Sequence, residues 1–186
     1  MIVSEQTIRQ HTACWVERVV IALNLCPFAG REVDAGRVRY CVTSCNTERL
    51  LLQALEAEIH HLRTCRDIAT SLLIHPQVLQ DFDDYNQFLD LAEGLLDSCG
   101  AIGELQIASF HPDYRFAGTA ADDAENYSNR SPYPMLHLLR EAGIEAATAN
   151  HPDPHAIYRC NIDTLRSLGV DGWKDLIAMA DDCQDK

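Results

Sequence analysis

Short β-branched and apolar runs alternate along this chain with segments of helical period, and the alternation predicts an α/β fold. The expected architecture is a single layered domain over residues 1–186, a mainly parallel sheet of about four strands flanked by helices. Two observations reinforce it. A chain of 186 residues is long enough to bury roughly 70% of its unfolded surface without staples. Three apolar runs also end in His-Pro, and proline, which cannot donate to a ladder, is a natural strand terminator.

The elements follow in order. Residues 5–24 place Ile8, Trp15, Val16, Val19 and Leu23 on one helical face, and Pro27 stops the helix by biasing Cys26 out of helical dihedrals. Residues 31–37 read as a polar link. "VRYCVT" (38–43) is rich in strand-forming residues. A second helix opens at Asn46 or Thr47 and runs to about Thr64, with Leu51, Leu55, Ile59 and Leu62 on its buried face. "ATSLLIHP" (69–76) is a buried strand by its continuous apolarity.

Residues 78–98 form the clearest helical pattern, with Val78, Phe82, Tyr85, Leu89, Ala92 and Leu96 in phase and Gly100 placed to cap the end. "ELQIASFHP" (104–112) is a third strand. The polar stretch 113–129 is too long for a plain connection, and such loops are usually functional or disordered. A short helix is predicted from Pro132 or Pro134 to Gly143, then a weaker strand at 144–149. Closing helices are predicted over 154–169 and 171–182.

Composition narrows the functional classes. The formal charge is -13, with 28 acidic against 15 basic residues. That balance argues against a nucleic-acid or membrane-surface partner, since both require a basic face. No stretch reaches the length of a membrane span, and the opening "MIVSEQTIRQH" has neither a basic nor a long apolar leader region. The eight cysteines contain no CxxC pair and read as packing thiols of a reduced, cytoplasmic protein.

Polar chemistry collects at the strand ends. His75, His111 and His151 each follow a predicted strand, and in open parallel sheets ligands bind beyond the carboxyl ends. The three form either a shared site, as a metal set for a hydrolase or a general acid–base cluster, or independent strand-end residues with local hydrogen bonds. His111 is the strongest, because Asp113, Tyr114 and Arg115 follow it directly. Asp113 is placed to orient the imidazole, and Arg115 to fork onto an anionic group.

In "NRSPYPMLHLLRE", Ser131 is the expected N-cap of the short helix and the prolines suit its first turn. The free amides there, with Arg130 just upstream, favour an anion. His137 then lies along the same helix. The candidate catalytic residues are therefore His111, His137, Asp113 and, as a nucleophile, Cys26. The candidate substrate-binding residues are Arg130, Arg115, Ser131, Asn129 and Tyr114. Cys26 sits at a helix end, which does not lower a thiol pKa; Arg31 is its nearest cation in sequence.

Four motifs taken in order, "LNLCPFA", "LLIHP", "QIASFHPDYRFAG" and "NRSPYPMLHLLRE", resemble a bacterial and plastid family, domain of unknown function 1415. The resemblance covers essentially the whole chain. It implies one compact soluble domain and brings no activity, cofactor, substrate or catalytic residue with it.

The functional expectation thus rests on the residues. It is an enzyme acting on a small carboxylate or phosphate metabolite through a His/Arg pocket at the strand ends, with no cofactor specified. The alternative is a non-catalytic small-anion binding protein with the same arginines but no titrating group beside the ligand. A metal-dependent hydrolase using His75, His111 and His151 is a further alternative.

Overall fold

A computed structural model describes residues 3–148 and 154–181. Helix α1 (Glu5–Trp15) starts at Ser4, whose hydroxyl accepts the Thr7 amide, and continues as a π-helix over Val16–Ile21. The run ends at Asn24, which takes a left-handed φ of 54°. The predicted polar link is in part a short helix, α2 (Ala29–Asp34). Strand β1 (Val38–Val42) leads into α3 (Glu48–Thr64), capped by Thr47 through the Leu50 amide. Its predicted face, Leu51, Leu55, Ile59 and Leu62, is fully buried.

Strand β2 (Thr70–Ile74) is followed by α4 (Phe82–Ser98), which begins four residues later than its periodicity suggests. Asp81 caps it, accepting the amides of Asp83 and Asp84, and Val78 belongs to the connection instead. Gly100 closes the helix at φ 60°, a conformation that costs glycine little. Strand β3 (Leu105–Phe110) and a 3₁₀ turn (Ala124–Asn129) come next.

The principal correction is at "MLHLLR". Met135–Arg140 is not a helix but strand β4, and it lies in the middle of the sheet. Met135, His137 and Leu139 face one side, while Leu136, Leu138 and Arg140 face the other. A central strand buried on both faces reads as a continuous apolar run, which periodicity alone does not separate from a helix. Residues 144–148, predicted as a strand, continue helix α5 (Glu141–Thr148), and Ala149 lies outside the described residues. The span α6 (Pro154–Asp181) is broken at Gly169 (φ 69°, ψ 175°), between the two helices predicted there.

The strand order is β1-β2-β4-β3. Only β1 and β2 pair in parallel; β4 runs antiparallel to both β2 and β3. The sheet is therefore mostly antiparallel, not mainly parallel as predicted. Because β4 opposes both of its neighbours, β1, β2 and β3 still share one direction. Their carboxyl ends fall on one edge, together with the start of β4.

Apolar side chains fill both faces. On one, Leu73, Leu136 and Leu138 pack against the leucines of α3 and against Tyr85, Phe88, Ala92 and Leu96 of α4. On the other, Leu72, Ile74 and Met135 pack against Ile8, Trp15, Val16 and Val19, with Leu165 and Trp173 of α6. The Tyr85 hydroxyl joins α4 to the sheet: it donates to the Met135 carbonyl at 2.8 Å and accepts the Phe110 amide at 3.0 Å.

One charge is buried in the first core. Glu58 of α3 accepts from Arg39 Nε and from Ser71 Oγ, both at 2.6 Å. Those bonds hold its carboxyl below the usual range against the opposing effect of burial. The Glu58 side chain is 5% exposed and that of Arg39 is 38% exposed. Truncating only the arginine strands a buried carboxylate. Arg39→Met should cost about 2 kcal/mol in urea unfolding, with much of that recovered in Arg39→Met/Glu58→Met. A double variant no more stable than the single one would show that the ion pair is not the source of the loss.

Candidate functional site

The shared edge brings together two of the three His-Pro segments. His75 follows β2 and His111 follows β3, and both are 0% exposed. They lie against the start of α4. Tyr85 stacks on His75 at 5.9 Å between centroids and lies 5.1 Å from His111, and Phe82 meets His111 edge-on at 5.5 Å. The backbone joins the same edge: the His75 amide donates to the Pro134 carbonyl, the His111 amide to Asn129, and the Ser131 amide to His111. The end of β3 and the segment leading into β4 are thus in direct contact, although no helix begins there. Ser131 accordingly caps nothing. Its hydroxyl donates to the Tyr133 carbonyl at 2.7 Å.

Hydrogen bonding separates the imidazoles. His111 Nε2 donates to the Leu79 carbonyl at 3.2 Å and Nδ1 accepts the Asp113 amide at 3.0 Å, so both nitrogens are occupied. Asp113 thus reaches the ring through its backbone, and its side chain is exposed. Leu79, the acceptor, has a left-handed φ of 56°, a strained conformation for leucine. His137 is on β4, facing α1, where Nε2 is 2.6 Å from Thr70 Oγ1. The Thr70 hydroxyl itself donates to Leu138 O, so Nε2 carries the proton.

His75 differs. Nδ1 donates to the Val78 carbonyl at 3.0 Å, which fixes the tautomer and leaves Nε2 as a bare acceptor. Among the described residues no group partners that buried nitrogen. Buried polar atoms are nearly always bonded, so the exception is informative.

Three of the predicted anion holders, Tyr114, Arg115 and Asn129, lie on the long loop, and Arg130 follows it directly. The loop is folded by Asn126, fully buried in the 3₁₀ turn. Its Oδ1 accepts from the Phe116 amide and the Thr119 hydroxyl, and its Nδ2 donates to the Ala120 and Ala121 carbonyls. Arg130 completes the fold-back, donating to Tyr114 O at 3.3 Å and Ala121 O at 2.5 Å with its guanidinium 4.6 Å above the Tyr127 ring. It is a strut of the loop in this conformation. Tyr114 packs edge-on to Phe82 at 5.3 Å, and Asn129 Nδ2 donates to Ser109 O. Arg115 is held more loosely, 3.5 Å from Asp83 in the first turn of α4, with a side chain 45% exposed.

The structure therefore assembles His75, His111, Tyr114, Arg115, Asn129, Arg130 and Ser131 at one edge. His137 faces the opposite core from Leu136 and Leu138. Cys26 follows the π-helix, where the neighbouring Leu25 carbonyl accepts from Asn161 of α6. Of the proposed metal set, His151 lies outside the described residues, and among the described residues no cluster of three or more metal-ligating side chains is arranged around an ion. Cys14 is disulfide-bonded, which departs from the fully reduced chain expected; Cys26, Cys41, Cys45, Cys65, Cys99 and Cys160 are free. Among the described residues no helix is long and apolar enough to cross a membrane.

Asn126 and Tyr85 were not singled out as polar determinants by sequence. Asn126 sits among acidic residues that read as solvated, and Tyr85 was absorbed into an apolar helix face. Neither periodicity nor motif marks a hydrogen bond made across the fold.

A family model described as "Protein of unknown function (DUF1415)" matches residues 7–175. No curated protein and no solved structure matches the chain.

The buried imidazoles make acid the vulnerable side. Burial pushes the pKa of His75 and that of His137 to about 4, and lowers that of His111. A histidine held neutral by folding contributes stability that is fully present above its unfolded pKa of about 6.5 and lost as pH falls toward 4. Urea unfolding should show stability falling through that window, with His75 alone accounting for about 3 kcal/mol by pH 4. His75→Phe should flatten the slope. A wild-type midpoint that holds steady from pH 6.5 to 5 would contradict the burial of neutral imidazoles.

Proposed function

The chain belongs to the DUF1415 family, which supplies no reaction, and on the geometry of the sheet edge we propose that it acts on a small carboxylate or phosphate metabolite bound there. One observation carries the reading: the unpartnered Nε2 of His75, a neutral imidazole nitrogen with its tautomer fixed, at the edge where three strands end. In this reading His75, not His111 or His137, is the proton acceptor, because both nitrogens of His111 are engaged and His137 lies on the α1 face of β4, away from the edge.

Arg115 supplies the anion contact. It meets the first turn of α4 at Asp83, and His75 meets the same turn at Tyr85, two residues on. The Arg115–Asp83 contact is long and exposed, so a ligand anion displaces it at little cost. Displacement loosens the 113–123 loop and opens a path to His75. Arg130 then joins as a second cation once its carbonyl partners move.

A second reading is supported by the engagement of His111 and His137: the same edge binds the anion without turnover. The two differ in His75 alone. Binding requires the arginines, whereas catalysis also requires the free imidazole nitrogen to contact the ligand.

Calorimetric titration with a panel of small phosphates and carboxylates should find saturable ligands whose affinity drops by at least about tenfold in Arg115→Gln. The ¹⁵N resonance of His75 Nε2 should shift on binding for the enzyme reading and stay fixed for the binding reading. A panel in which no ligand at all weakens in Arg115→Gln would leave the histidine edge without a ligand and end both.

A further inference from the structure

At the opposite edge of the sheet, where β2 and β3 begin and β4 ends, the helix α3 finishes in "HHLRTCRD". In a chain of charge -13, this stretch holds two arginines and two histidines in eight residues. Arg140, the last residue of β4, is turned onto the same helix end: it donates to the carbonyls of Leu62, Cys65 and Ile68. In doing so it satisfies acceptors that the last turn of a helix leaves open. Beside it is a hollow of about 310 Å³ lined by His60, Arg63, Thr64, Arg66 and Glu104. It adjoins a second, of about 430 Å³, that shares His60 and Arg63 and also reaches Gln53, Glu56 and Cys99. These volumes lie within the range of small-molecule sites.

The wall groups are not equivalent. Arg63 is committed: Nε and Nη2 fork onto Glu104 at 2.9 and 3.1 Å, and Nη1 donates to Cys99 O at 2.8 Å. Its fork holds Glu104 fixed on the hollow wall. The Thr64 hydroxyl donates to the carbonyls of His60 and His61, so toward the hollow it offers lone pairs only. Arg66 is exposed and no carboxylate among the described residues pairs with it, unlike Arg9, Arg37, Arg39, Arg63, Arg115 and Arg166. It also sits close enough to Arg140 for the two cations to repel, which together with burial lowers the Arg140 pKa. An exposed guanidinium with no carboxylate partner among the described residues, on the wall of a hollow in an acidic protein, forms an arrangement that an anion relaxes even with Glu104 nearby.

We propose that this hollow binds a small organic anion, a carboxylate or phosphate ester, with Arg66 as its principal contact and His60 as a hydrogen-bonding neighbour. Glu104, Glu56 and the adjacent Asp67 limit the charge the hollow accepts, so highly charged polyanions are excluded. Thr64 and Glu104, which present acceptors, select ligands that carry a hydroxyl or amino group near the acid. The site is independent of the histidine edge, since it lies beyond the other end of strands of six residues, on the order of 20 Å away.

Inorganic phosphate and lactate, titrated at low ionic strength and followed through backbone amide shifts, test the assignment. Saturable shifts at residues 60–67, 104 and 140 are expected, separate from any at the histidine edge. The apparent Kd should rise at least about tenfold in Arg66→Gln and stay unchanged in Arg49→Gln, at the far end of the same helix, and in Arg115→Gln. Shifts that do not saturate, or that survive Arg66→Gln, would overturn it. Shifts that are lost in Arg115→Gln but kept in Arg66→Gln would refer all anion binding to the histidine edge and overturn it equally.

Discussion

The fold depends on strand β4 being seated between β2 and β3. Met135–Arg140 pairs with Thr70–Ile74 on one side and Leu105–Phe110 on the other, so neither flanking strand touches the other directly. Its alternating side chains supply both cores: Leu136 and Leu138 go to the α3/α4 face, and Met135 to the α1/α6 face. Its two ends then fix what lies at the two edges. The start of β4, through Pro134 and Ser131, meets His75 and His111. Its end, through Arg140, closes the carboxyl end of α3.

This placement explains where the sequence was readable. Both amphipathic helices packed on one face were legible, because Leu51, Leu55, Ile59, Leu62, Tyr85, Ala92 and Leu96 repeat at the period that burial on one side requires. So were three strands, two of them followed by a His-Pro whose proline cannot extend a ladder. "MLHLLR" was misread because a strand covered on both faces loses its alternation, and because Ser131 and two prolines imitate a helix start. The error carried to the sheet, since reading β4 as a helix leaves β2 and β3 as parallel neighbours.

The candidate site was legible as a location more than as a set of roles. His75, His111 and the loop after β3 converge because β1, β2 and β3 share a direction, which the His-Pro repeats suggested. Which imidazole keeps a free nitrogen was not legible, since it turns on Val78 O, Leu79 O and Thr70 Oγ1, partners that no local pattern marks. The loop was likewise legible as too long to be a mere connection, while its internal architecture rests on Asn126, one amide making four bonds. The basic run at 60–66 lies inside an ordinary amphipathic helix end, where no motif separates a ligand contact from a solvated charge.

Strand order also bears on how the chain is made. The segment that finishes the sheet leaves the ribosome about sixty residues after β2, several seconds later at ordinary rates of synthesis. Until then β2 presents an open ladder on the side away from β1, available to a neighbouring nascent chain. Truncations that end before residue 135 leave β2 and β3 without the strand that joins them, and should expose that open ladder to pairing between chains.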